Sequence, residues 1–239
     1  MDAYEKMVKA ELMAWQQKMI QHPTFFSKLS KKIQVKINAW IPEKVHKAIT
    51  ATIKQMVRMV LFGARFTSGT RLMDVSLQNR EIIIQDKIEA YKKTAAIEGG
   101  ITGAGGLLMG MADFPILLGI KLKLLFEIAG LYGFDVEDYK ERVYLLHIFE
   151  LAFSSDEHRI RVFKKITDWS DKSSQLPDDI QLFDWRNFQQ EYRDYIDLAK
   201  LAQLIPVIGA PVGLLVNYKL IKKLGYTAMN AYRMRLMSV

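Results

Sequence analysis

Apolar residues return at intervals of three and four along most of the chain, the spacing of a helix face, and strict alternation is rare. Tyr4, Val8, Leu12, Trp15 and Met19 form the first stripe, over residues 3–20, which His22-Pro23 ends. Phe26, Leu29, Ile33, Ile37 and Trp40 form a second over 24–40, with Lys28, Lys31, Lys32 and Lys36 on the opposite face. Pro42 suits a first helical turn, and the third stripe follows as Val45, Ile49, Ile53, Met56, Val60 and Leu61. Lys44, Lys47, Lys54 and Arg58 keep the outer side of that helix basic. A fourth helix is expected from about Ser68 to Ala96 on Leu77, Ile84, Ile88, Tyr91 and Ala95.

The pattern then changes. Residues 99–120 are apolar and Gly-rich with one charge, Asp113, and continue as a helix to about Leu131. Asp135 is read as an N-cap with Asp138 three residues on, opening a helix to Phe153. Asp156 caps the next, to Ser170; the polar stretch 171–183 reads as a surface linker. A helix from about Asp184 to Leu204 leads into a second apolar stretch broken by Pro and Gly, and a final helix reaches the C-terminus. The expected fold is all-α: a single multi-helix domain with two central Gly/Pro-interrupted apolar helices or hairpins. Residues 1–66 form a basic amphipathic region and 67–239 the helical core.

The two apolar stretches admit three readings. A spanning helix needs about 20 predominantly apolar residues. The first stretch reaches that length but holds seven glycines, Asp113 and Pro115; the second, 204–216, is too short. Buried core helices, or a hairpin partly embedded in a bilayer, fit both lengths better than true spans. Gly99/Gly103, Gly106/Gly110 and Gly209/Gly213 are each four apart, which lets another helix approach closely in either setting. Asp113 lies among Met109, Met111, Phe114, Ile116 and Leu117. It reads as the cap of a new helix with Pro115 in its first turn, or as a functional buried acid.

Charge narrows the choice of partner. Residues 1–72 carry 13 Lys and Arg against 4 Asp and Glu; the remainder carries 21 against 22. The net charge of +8 therefore resides in the first third and points to a polyanion. No nucleic-acid-binding motif accompanies it, so an anionic membrane surface is expected and nucleic acid is not. The absence of cysteine excludes disulfides, a thiolate nucleophile and Cys-ligated metals. The charged, amphipathic start shows no secretory signal.

Catalytic signatures are missing. There is no P-loop, G-x-S-x-G or H-E-x-x-H motif, and the Gly-rich run has neither the spacing nor the preceding strand of a dinucleotide fingerprint. His147 and Glu150 share a helix face near Asp156 and His158, but helical di-metal sites repeat that pair on a facing helix and this chain has one copy. No metal or cofactor is expected. An enzyme, hydrolytic or lipid-modifying, requires Asp113, Glu98, Glu127, His147 or Glu150 to converge. A carrier of an apolar ligand requires a cavity lined by residues 99–111.

The segments Gly99-GITGAGGLLMGMADFP-Ile116 and Ile205-PVIGAPVGLLVN-Tyr218 resemble the EcsC family. So do the tail Lys222-KLGYTAMNAYRMR-Leu236 and the basic region around Trp40-IPEKVHKAI-Thr50. The resemblance assigns Gly103, Gly106, Gly110, Asp113, Pro115, Pro206, Gly209, Gly213 and Asn217 as family signature, without roles. It implies association with a bacterial ABC exporter system and supplies no catalytic residues. The combined expectation is a cytoplasmic protein peripheral to the membrane, non-catalytic, assisting or regulating ABC transporter subunits. Lys28, Lys31, Lys32, Lys36, Lys44 and Lys47 would meet anionic headgroups.

Overall fold

In the computed structural model, which describes residues 2–21, 43–62, 71–104, 106–195 and 210–237, the described stripes are helices. They are α1 (Ala3–Ile20), α2 (Glu43–Phe62), α3 (Leu77–Ala104), α4 (Gly106–Leu131), α5 (Tyr139–Phe153), α6 (Asp156–Thr167), α7 (Trp169–Gln175), α8 (Trp185–Tyr195) and α9 (Ala210–Met237). A 3-10 turn, Ile180–Leu182, precedes α8. The fold is all-α.

Helix boundaries follow capping chemistry. Asp2 and Glu5 close a capping box on α1. Residues 71–76 are irregular, with Asp74 at φ 56°, and the Ser76 hydroxyl accepts from the Asn79 amide; α3 therefore starts at Leu77 and not near Ser68. It runs on through Gly99 and Gly100. The N-cap of α5 is Asp138, not Asp135, which instead turns the chain by accepting from the Glu137 amide. Ser155, not Asp156, caps α6, because its hydroxyl accepts from the His158 amide. The expected linker at 171–183 contains most of α7, the 3-10 turn and the buried Phe183, whose ring is tilted against Tyr139.

Pro115 does not break the chain as expected. It lies inside α4, exposed, so the lost backbone bond and the ring both face away from the packed side. The C-terminus of α4 is a Schellman turn: Phe134 N–H reaches Ala129 O at 3.0 Å and Gly133 N–H reaches Gly130 O at 2.8 Å. Gly133 has φ +91°, and a Cβ there would lie 3.3 Å from Leu72 O.

The long helix α9 is the central element. It runs antiparallel along α3, contacts α4 and α5, and receives α1 on its C-terminal half. Helix α2 packs on α5, α8 and α4. One apolar cluster includes Leu12 and Trp15 of α1, Ile49, Ile53 and Met56 of α2, and Leu125, Phe149 and Tyr232 of the later helices. Where α9 crosses α3, Gly225 lets the helices close: a Cβ would lie 2.6 Å from Ile88 Cδ1. The expected helix at 24–40, with Lys28, Lys31, Lys32 and Lys36, and the positions Pro206 and Gly209 lie outside the described residues.

Candidate functional site

The polar chemistry of the interior is gathered along α9. At its C-terminal end Arg233, buried, grips the fully buried Glu81 of α3 with Nε to Oε1 at 2.8 Å and Nη2 to Oε2 at 2.6 Å. Tyr132 donates to Glu81 Oε1 at 2.8 Å and Tyr4 to Oε2 at 2.7 Å; Arg233 Nη1 also reaches Glu11 of α1 at 3.1 Å. Four segments of the chain thus meet on one carboxylate. Burial and the acceptor Glu81 push the Tyr4 hydroxyl up to about 12, so it stays a donor. Burial opposes the charge on Arg233, but the Glu81 carboxylate outweighs it and raises the guanidinium's pKa.

A second ion pair lies beside it. Arg235 Nη1 bonds Glu141 of α5 at 2.6 Å, and Tyr232 donates to the same carboxylate at 2.7 Å. The guanidinium lies 3.8 Å from the Phe134 ring centroid and 4.6 Å from that of Tyr144. Burial lifts the Glu141 carboxyl, and Arg235 and Tyr232 only partly offset this. These two pairs fix helix register and are saturated with partners.

Farther along α9 the interior is different. Lys121 of α4 is fully buried, and its Nζ donates to Leu117 O at 3.2 Å and to Asn217 Oδ1 at 3.1 Å. Both acceptors are neutral, and burial brings its pKa down to about 7. Two acceptors suit the two N–H bonds of a neutral amine. Nearby, Lys92 is buried, bonds Glu89 and lies 4.3 Å from the Tyr218 ring centroid.

The remaining acids work in separate places. Glu127 accepts from Tyr91 at 2.6 Å and faces Lys87 at 3.2 Å. Glu150 of α5 is fully buried, with Oε2 2.8 Å from His147 Nδ1 and Oε1 3.8 Å from Lys165 Nζ. His147 packs edge-on against Trp169 and Phe188, and among the described residues no group of acids and histidines has metal-ligand geometry. Of the acids and the histidine that an enzyme would need together, His147 and Glu150 meet on α5, while Glu127 is engaged by Tyr91 and Lys87. Asp113 is half-buried inside α4 and caps nothing.

A family model described as the EcsC protein family matches residues 6–237. The chain belongs to the EcsC family. It is 41% identical to Protein EcsC of Bacillus subtilis (strain 168), over 97% of this chain and 96% of that protein. It is 24% identical to the uncharacterized protein YdbA of the same strain, over 94% of this chain and 90% of that one. No solved structure matches.

Of the positions assigned from the EcsC resemblance, Asn217 has a described role: it holds Lys121. Gly103 lies in α3, Gly106, Gly110, Asp113 and Pro115 in α4, and Gly213 in α9. Lys44 and Lys47 lie at the start of α2, where Lys47 pairs with Glu43 at 2.8 Å, both well exposed. Glu81, Lys121 and Glu141, which carry much of the buried polar chemistry, were not singled out from the sequence, and Arg233 was marked only as part of the tail that resembles the family, without a role. One signal was there: Glu81 falls four residues after Leu77 and three before Ile84, on the apolar stripe itself.

Proposed function

We propose that this EcsC-family chain is a non-catalytic accessory of an ABC transporter, held at the cytoplasmic face of a membrane by lipid or protein contact. The observation that carries the reading is the division of α2. Ile49, Ile53, Met56, Val57, Val60 and Leu61 are all buried, while Lys47, Lys54 and Arg58 face out. A basic face anchored on a packed apolar one suits a negatively charged surface, at about 1 kcal/mol per cation near anionic lipid. Glu43 beside Lys47 offsets part of this charge, and with Lys54 and Arg58 the face keeps a positive excess. No described helix is long and apolar enough to cross a membrane, so the attachment is peripheral in this reading.

Crosslinking in intact membranes followed by affinity capture tests the transporter half: recovery of the ATPase or membrane subunit supports it, and its repeated absence against a crosslinked positive control removes it. Flotation with phosphatidylglycerol-containing vesicles tests the lipid half. The triple variant Lys47→Glu, Lys54→Glu, Arg58→Glu is expected to lose most of the floated fraction.

A further inference from the structure

We infer that the far end of the α3–α4–α9 unit is a lipid-entry tip: a small apolar surface, carried on three helices and collared by lysines, that inserts shallowly into an anionic leaflet. This rests on the membrane attachment proposed above and adds which face of the molecule enters the lipid.

The geometry is set by helix register. Glu81–Arg233 and Arg80–Leu131 O mark one end of the unit, and Lys92–Tyr218 marks a level farther along. Counting at about 1.5 Å per residue, Ile97 and Ile101 of α3, Ile116 of α4 and Leu214 and Leu215 of α9 lie about 22–32 Å beyond the first end. They fall within about 10 Å of one another along the helix axes, although they come from three helices. All five are exposed, with Ile97 at 61% and Ile101 at 57%.

The cations behind them choose the occupant. Lys93 and Lys219 are exposed one turn back from Ile97 and Leu215, about 6 Å along their helices; Lys123 and Lys222 are exposed about 10 Å back from Ile116 and Leu215. That depth is where lipid phosphates lie when apolar side chains reach the upper acyl region, and lysine stems extend toward them. Among the described residues the acids at this end are Glu89, Glu98 and Asp113; Glu89 is engaged by Lys92, and Glu98 and Asp113 are half-buried. A second copy of the chain would set lysine collar against lysine collar, whereas an anionic leaflet neutralises it. Asp113, Lys121 and Lys123 within α4 keep the insertion shallow.

The chain has no cysteine, so a single introduced one gives a unique label. Ile97→Cys and Leu215→Cys, with Met73→Cys at the opposite end as control, are labelled with the polarity-sensitive fluorophore NBD. Each is mixed with vesicles of phosphatidylcholine, with or without phosphatidylglycerol, and flotation is measured in parallel. The expected result is a blue shift and a several-fold intensity rise at 97 and 215 with the anionic vesicles only, and no change at 73. If the chain floats while the probes at 97 and 215 keep their free-protein emission, the tip is wrong and membrane attachment survives. If the chain does not float, both fail. An equal response to pure phosphatidylcholine overturns the lysine collar. A blue shift without vesicles that grows with protein concentration replaces lipid by a second copy.

Discussion

The near end of the α3–α4–α9 unit is closed by ion pairs and aromatic rings; its far end is finished with isoleucine, leucine and glycine. At the near end the buried carboxylates and the arginines of α9 are paired: Arg233 with Glu81 and Glu11, Arg235 with Glu141. Between the ends lies Lys121, buried with neutral acceptors only. Such an arrangement separates duties. The ion-paired end sets the register of α1, α3, α5 and α9. Both ends expose apolar side chains, Ile82, Ile83 and Leu236 at the near one and Ile97, Ile101, Ile116, Leu214 and Leu215 at the far one, but the buried ion pairs are confined to the near end.

The comparison breaks most visibly at Glu81. Arg233→Met leaves a fully buried carboxylate without its guanidinium and is expected to cost about 3–5 kcal/mol, read as a lower urea midpoint. Gly225→Ala presses a methyl into Ile88 and is expected to cost about 1–3 kcal/mol, with part of the loss recovered by adding Ile88→Ala. A neutral outcome for Gly225→Ala would mean that α9 and α3 separate at little cost.

Lys121 sharpens the comparison through pH. Its folded pKa, about 7, lies below the ordinary 10.5, so between those values the unfolded chain holds a proton that the folded chain refuses. Its contribution to stability rises with pH across that window, by about 1.4 kcal/mol per unit, and is flat below it. Lys121→Met removes this slope. The variant is expected to be more stable than the parent near pH 7, and the gap to narrow toward pH 10.5, as measured by urea unfolding at each pH. The smallest effect is expected at the tip: Ile97→Gln and Leu215→Gln each stay within about 0.5 kcal/mol of the parent, because both side chains are already in water.

Much of the helical frame was legible because apolar stripes at three and four report burial directly. Val8, Leu12 and Trp15, and Ile49, Ile53, Met56, Val60 and Leu61, are buried where the spacing predicted. Boundaries were less so. Asp135, Asp138, Ser155 and Asp156 all have capping side chains, and which one caps depends on backbone geometry that spacing does not contain. Asp113-Phe-Pro115 has the grammar of a helix break, yet α4 continues, since a proline facing outward forfeits only one backbone bond. The candidate site was the hardest part to read. Glu81 and Arg233 are 152 positions apart, and nothing local pairs them. Asn217 was identified by resemblance; its partner Lys121 reads in sequence as the cation that ends an apolar run.

The two ends are expected to meet different surroundings, protein at one and lipid at the other. Hydrogen–deuterium exchange on the full chain, with and without phosphatidylglycerol-containing vesicles, tests this most directly. Slower exchange is expected in peptides spanning 97–101 and 214–219 when vesicles are added, with unchanged exchange in 77–88 and 225–236. Vesicle-dependent protection at the Glu81–Arg233 end, with none at the far end, would contradict this expectation.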